Sequence, residues 1–127
     1  MCGIAAIIHP DGSSVGEEPL RVMMRAMKHR GPDDEGLFTT GNLGLGFVRL
    51  RIIDLSANGH QPMRSADGRY TIIFNGEVFN YIELRKELMA KGHVFRSETD
   101  TEVLLAAWIE WGEAMLHRLN GMWAFLI

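Results

Sequence analysis

The chain has 127 residues, 46% of them apolar and 23% charged, with a formal net charge of −3. That size and balance fit one globular domain, able to bury about two-thirds of its unfolded surface. The 13 basic residues form no patch, which argues against a nucleic-acid partner, and no apolar run approaches the ~18 residues needed to span a bilayer.

Residues 2–8, small and β-branched, predict a buried strand, with a turn at Asp11-Gly12 after it. A helix over 18–29 follows, with Leu20, Met23, Met24 and Met27 at helical spacing and Pro19 in its first turn; it must end before Pro32. Residues 35–40 and 43–50 read as a hairpin joined at Gly41-Asn42. Residues 54–69 are loop-like, and 70–74 form an apolar strand that ends at Asn75-Gly76.

Asn80-Tyr-Ile-Glu83 has the form of a capping box, opening a helix that carries Ile82, Leu84 and Leu88 and closes at Gly92. His93 to Arg96 predicts a short strand. Thr99-Asp-Thr-Glu102 is a second capping box, for a helix burying Val103, Leu104, Ala107 and Trp108 and ending near Gly112. Met122 to Ile127 is an apolar strand. The irregular order of elements, without βαβ alternation, predicts α+β with a largely antiparallel sheet. A chain that stops inside an apolar strand leaves groups in need of partners, so the domain is expected to be incomplete at its C-terminus, inactive alone and prone to self-associate.

Three sets of residues can carry chemistry. Cys2 is the single cysteine, so no intrachain disulfide forms, which suits a reducing compartment. The start has no basic segment followed by an apolar one, so cytoplasm is the expected location. If Met1 is removed, Cys2 carries a free α-amine with a pKa near 7.7–8.0, able to serve its own thiol as a general base; the alternative is a small buried hydrophobe. Asn75 and Gly76 can aim a side-chain amide and a backbone N–H at one oxygen, as an oxyanion hole does, although Asn-Gly by itself is more often a turn. Arg49, with Glu77 and Asp100, offers a cation for a carboxylate and anions for an ammonium; each alone has an ordinary surface or capping role. The five histidines lack metal-ligand spacing, so no metal is expected.

Together these residues lie in ordered motifs: Met-Cys-Gly-Ile at the start, His29-Arg-Gly-Pro-Asp33, Arg49-Leu-Arg-Ile-Ile-Asp54, His60-Gln-Pro-Met63, Asn75-Gly-Glu77, Ser97-Glu-Thr-Asp-Thr-Glu102 and Gly121-Met-Trp-Ala-Phe125. Over essentially the whole chain this pattern resembles the glutaminase domain of glutamine-hydrolysing asparagine synthetases, a class II glutamine amidotransferase domain of the N-terminal nucleophile hydrolases. The resemblance implies a four-layer sandwich of two antiparallel sheets between helical layers. It implies that residues 1–127 are the N-terminal portion of such a domain, and that a C-terminal synthetase domain using ATP and Mg is absent from this chain. No cofactor is implied for the glutaminase part; its partners would be glutamine and the synthetase domain, with a homo-oligomer possible.

By the same resemblance, Cys2 is the nucleophile, Asn75 and Gly76 form the oxyanion hole, and Arg49 binds the substrate α-carboxylate. Leu50, Ile52 and Ile53 lend backbone contacts, Glu77 and Asp100 hold the amino-acid end, and Arg30 braces the loop beside the nucleophile. Two positions depart from the pattern: Phe47 stands where the family often has His, and Arg51 where it often has Ser. The product of the full enzyme therefore stays open. The alternatives are a class II amidotransferase making an amino sugar or nucleotide precursor, and an inactive module that holds glutamine.

Overall fold

A computed structural model describes residues 2–127. The first sheet contains β1 (Gly3–Ile8), β2 (Asp34–Thr40) and β3 (Leu43–Arg49), in the order β1-β3-β2 with antiparallel pairing throughout. Thr40 pairs with Leu43, leaving Gly41-Asn42 as the two-residue turn of the predicted hairpin. The second sheet has the order β4-β5-β6, from Met63–Arg64, Thr71–Val78 and Gly121–Leu126.

Helix α1 (Glu17–Met27) lies on the outer face of the first sheet, where Leu20 packs with Ala5 and Val15. The inner face presents Leu45 and Phe47 to Ile73 of the second sheet, with Cys2, Ile4 and Leu126 around them. Helices α2 (Tyr81–Ala90) and α3 (Asp100–Trp111) cover the other side of the second sheet and form the largest core with Ile72, Phe74 and Val78. The sequence of layers is thus helix, sheet, sheet, helices, which is the predicted α+β four-layer sandwich. Among the described residues no helix is long and apolar enough to cross a membrane.

Several local expectations are corrected. The strand predicted to end at residue 74 continues to Val78, so Asn75 and Gly76 are strand residues opposite Ala124 and Trp123, not a turn. His93 to Arg96 is irregular. Asn80 does not cap α2: its side chain donates to the Arg118 carbonyl and accepts from the Asn120 N–H, tying the start of that helix to the turn before β6. Met23 and Ile82 face solvent, because the buried stripes run through Leu20 and Met24, and through Leu84 and Leu88. The segment read as a loop over 54–69 contains a short 3-10 turn at Ala57–Gly59 and the two residues of β4.

The second capping box does form at its N-cap, where the Thr99 hydroxyl accepts the Glu102 N–H. Glu102 then reaches further back than a capping box requires. Its buried carboxylate accepts the N–H groups of Arg96 and Ser97 and the Ser97 hydroxyl, fixing the segment that leads into α3.

Candidate active site

One cleft of about 200 Å³ opens between the ends of the two sheets and the start of α3. Cys2, Arg49, Leu50, Ile52, Ile53, Asn75, Gly76, Glu77 and Asp100 all line it. Residues from four separate motifs, the first at the N-terminus, are therefore brought to one place. Arg30 stands behind the cleft rather than in it.

Cys2 precedes β1 and is half-buried. The Leu50 N–H donates to its Sγ at 3.4 Å, and the Leu50 carbonyl lies 3.6 Å from the same atom. The nucleophile candidate is thus held against the backbone that continues from β3. From the other side, Arg30 Nε donates to the Cys2 carbonyl at 3.0 Å. Arg30 gets there because Gly31 runs hard against the end of β3: a Cβ at Gly31 would stand 2.4 Å from the Val48 carbonyl carbon. Met1, whose removal would free the Cys2 α-amine, lies outside the described residues.

Arg49 is 5% exposed at the end of β3. Its guanidinium donates to the carbonyls of Ser56 and Asp54, so it shapes the 50–56 loop that walls the cleft. Two of its five N–H donors are used in this way and others remain for a ligand. Asp54 locks the same loop: its carboxylate accepts the N–H groups of Ser56 and Glu98, and the Ser56 side chain first, then the Glu98 N–H, hold it below the usual carboxylate range. The Ile52 and Ile53 side chains are exposed. Arg51 also faces solvent, with its backbone N–H on Asp33. Phe47 is fully buried between the sheets.

The open edge of β5 supplies the remaining geometry. Along a strand, backbone N–H groups alternate between the two edges. Phe79 donates to Asn120 on the β6 side, so odd-numbered residues face β6. Even-numbered ones face the other edge, where β4 pairs only with Thr71 and Ile72. On that edge the Phe74 N–H is taken by Gln61 Oε1 at 2.6 Å and the Val78 N–H by Asp100 Oδ2 at 3.0 Å. The Gly76 N–H lies between them and is directed into the cleft. Gly76 is required here for a reason that its place in a supposed turn did not reveal: a Cβ would stand 2.2 Å from the Met122 carbonyl oxygen across the sheet.

The Asn75 side chain shares its face with Ile73, toward the first sheet and Cys2. Its Oδ1 is buried without a hydrogen-bond partner among the described residues. A buried carboxamide oxygen left unpaired is costly, at about 1–3 kcal/mol, and is uncommon outside functional sites.

Asp100 is 5% exposed in the first turn of α3. Burial pushes its carboxyl above the usual range, against the lowering effect of the N–H groups of Val78, Thr101 and Asp100 itself, and neighbouring Glu77 adds to the rise. The ordinary first-turn stabilisation is therefore outweighed by desolvation. Glu77 is exposed at the rim. The cleft has a cation at Arg49, acids at Asp100 and Glu77, a thiol, and an inward N–H. Among the described residues no group of three or more His, Cys, Asp or Glu side chains is placed to hold a metal.

Gln61 and Thr101 also line the cleft and were not singled out from the sequence. The available signal is that both stand inside two of the ordered motifs, His60-Gln-Pro-Met63 and Ser97-Glu-Thr-Asp-Thr-Glu102.

A family model described as a glutamine amidotransferase domain matches residues 1–127. Asparagine synthetase (glutamine-hydrolyzing) 1 of Bacillus subtilis (strain 168) is 48% identical over 130 residues, which cover 100% of this chain and 20% of that protein. A putative asparagine synthetase (glutamine-hydrolyzing) 2 of Methanocaldococcus jannaschii is 41% identical over 147 residues, covering 100% of this chain and 27% of that protein. The chain thus spans about a fifth to a quarter of the length of these relatives. Among solved structures, glutamine phosphoribosylpyrophosphate amidotransferase from B. subtilis matches with a TM-score of 0.79 at 20% identity, covering 99% of this chain and 34% of that one. At that identity the likeness concerns the fold.

Proposed function

The chain belongs to the glutamine amidotransferase domain family, and from that premise we propose that its cleft hydrolyses glutamine to glutamate and ammonia through a thioester on Cys2. The observation that carries this reading is the shared cleft, in which the Cys2 thiol, the inward N–H of Gly76, the Asn75 carboxamide, Arg49 and Asp100 meet. Arg49 takes the substrate α-carboxylate, and Asp100 with Glu77 takes its ammonium. This places the side-chain amide toward Cys2 and Gly76.

With Met1 gone, the Cys2 α-amine accepts the thiol proton and the sulfur forms a bond to the amide carbon. The negative charge that develops on the amide oxygen is met by the Gly76 N–H, which the β5–β6 pairing fixes before the reaction begins, and by the Asn75 amide. The C–N bond breaks as the amine returns the proton to nitrogen, releasing ammonia. Water then attacks the γ-glutamyl thioester, and glutamate leaves with the thiol restored. Arg30 and Leu50 act by holding Cys2 in place.

The ammonia then passes to a synthetase domain elsewhere in the full-length protein. There ATP with Mg activates an acceptor carboxylate, and no residue of this cleft is assigned to them. The relatives' names support aspartate as that acceptor. The test is to quench the full-length protein in acid during turnover with glutamine. The expected N-terminal peptide begins at Cys2 and carries a γ-glutamyl group. Turnover with a peptide that begins at Met1 and is never acylated would overturn the proposal.

A further inference from the structure

The open edge of β5 has a feature that the reaction alone does not explain. Gln61 is 4% exposed and comes from the segment between the 3-10 turn and β4, far in sequence from the groups it touches. Its Oε1 accepts the Phe74 N–H at 2.6 Å, and its Nε2 donates to Thr101 Oγ1 at 3.1 Å. One carboxamide therefore ties the strand that carries Asn75 and Gly76 to the helix that carries Asp100. It also occupies the N–H two residues before Gly76, as Asp100 occupies the one two residues after it. With no strand beyond Ile72 on this edge among the described residues, these two side chains stand where a neighbouring strand would otherwise fix the register.

We propose that Gln61 is a positioning residue for glutamine hydrolysis: by bonding Phe74 and Thr101 together it fixes the Gly76 N–H at the place where the oxyanion forms. This rests on the function proposed for the cleft. The required alignment is strict, since a displacement of about 1 Å at a reacting centre can cost about 100-fold in rate. The effect should fall on the step in which charge develops, because Arg49 is untouched and Asp100 keeps its own bond to the Val78 N–H.

The experiment uses the full-length protein carrying Gln61→Met, which keeps the volume but removes both bonds, and Thr101→Val, which removes only the anchor of the carboxamide. Turnover of glutamine is measured directly, and glutamine affinity is measured with each change placed on a Cys2→Ala background. Gln61→Met should lower kcat by roughly 10- to 100-fold, with affinity changed less than about threefold, which damage to the fold would not do. Thr101→Val should lower kcat by less, and the double variant should be no worse than Gln61→Met, as expected of groups acting through one bond.

A kcat that stays within about threefold of the parent, strictly additive losses, or affinity that falls in step with kcat would each overturn the proposal. If Gln61→Met does not fold, Thr101→Val decides alone, and an unchanged kcat rejects it. Hydrolysis by the parent that survives Cys2→Ala would overturn the functional reading and this proposal with it. A Cys2-dependent parent with an insensitive Gln61→Met would overturn this proposal only.

Discussion

Replacing Arg49 by alanine separates the two arginines of the Arg49-Leu-Arg51 run more sharply than any other change. Arg49 is buried against the cleft and holds the Asp54 and Ser56 carbonyls, whereas Arg51 is exposed and meets Asp33 only through its backbone N–H. Truncating one partner of a buried, hydrogen-bonded charge pair costs about 2–5 kcal/mol. At 1.4 kcal/mol per tenfold this is a loss of roughly 30-fold to several thousandfold in glutamine affinity. Freeing the 50–56 loop adds to that loss, at about 0.5–1.5 kcal/mol for each hydrogen bond removed. Arg51→Ala should change affinity by less than about threefold, because a surface charge with no direct contact contributes little. Calorimetric titration of glutamine into the full-length protein, in a Cys2→Ala background to prevent turnover, reads both values. Equal affinities for the two variants would refute the assignment of the carboxylate fork to Arg49.

Gly76→Ala should destabilise the domain by about 1–3 kcal/mol or more, because its Cβ meets backbone that cannot swing aside; a urea midpoint equal to the parent's would contradict the strand pairing described. Glu102→Ala strands the N–H groups of Arg96 and Ser97, at roughly 1–3 kcal/mol for the buried Ser97 donor and less for the part-exposed Arg96 one, and faster hydrogen exchange confined to residues 96–99 would report it. Burial lifts the Asp100 carboxyl above its ordinary value near 3.8, so its contribution to stability is full below that value and is lost as pH rises through the folded one. Asp100→Asn carries no such charge and should gain stability relative to the parent across that interval, while losing glutamine affinity; a stability difference that does not vary with pH would contradict this.

Much of this architecture was legible because local pattern and tertiary need agree. The 3.6-residue spacing of Leu20, Met24 and Met27 marks the face that α1 buries, and Gly41-Asn42 marks the hairpin. The predictions failed where a partner distant in sequence decides the outcome. Asn75-Gly76 has the local form of a turn, yet β6, more than 40 residues later, pairs with it and keeps the chain extended. Asn80 has the form of a cap, but the backbone at Arg118 and Asn120 offers its amide better partners. Trp108 is only partly buried, while the acidic start of α3 is buried, because that end of the helix is inserted beside β5 to form the cleft.

The candidate site was legible in a different way. No single residue in it departs from an ordinary role, and only the ordered motifs point to a common purpose. The fold then places nine of the ten named residues on one cleft. Gln61 escaped notice because a glutamine in a loop has no chemical signature; its meaning lies in the two groups it joins, which are 27 residues apart in the chain.

The role given to Cys2 is tested most directly by Cys2→Ala in the full-length protein, with synthesis measured once from glutamine and once from added ammonium. On the proposed mechanism the thiol serves only the release of ammonia, so glutamine-dependent synthesis should be abolished and ammonium-dependent synthesis retained at the parent rate. Equal loss of both activities, or glutamine-dependent synthesis that persists, would contradict the account.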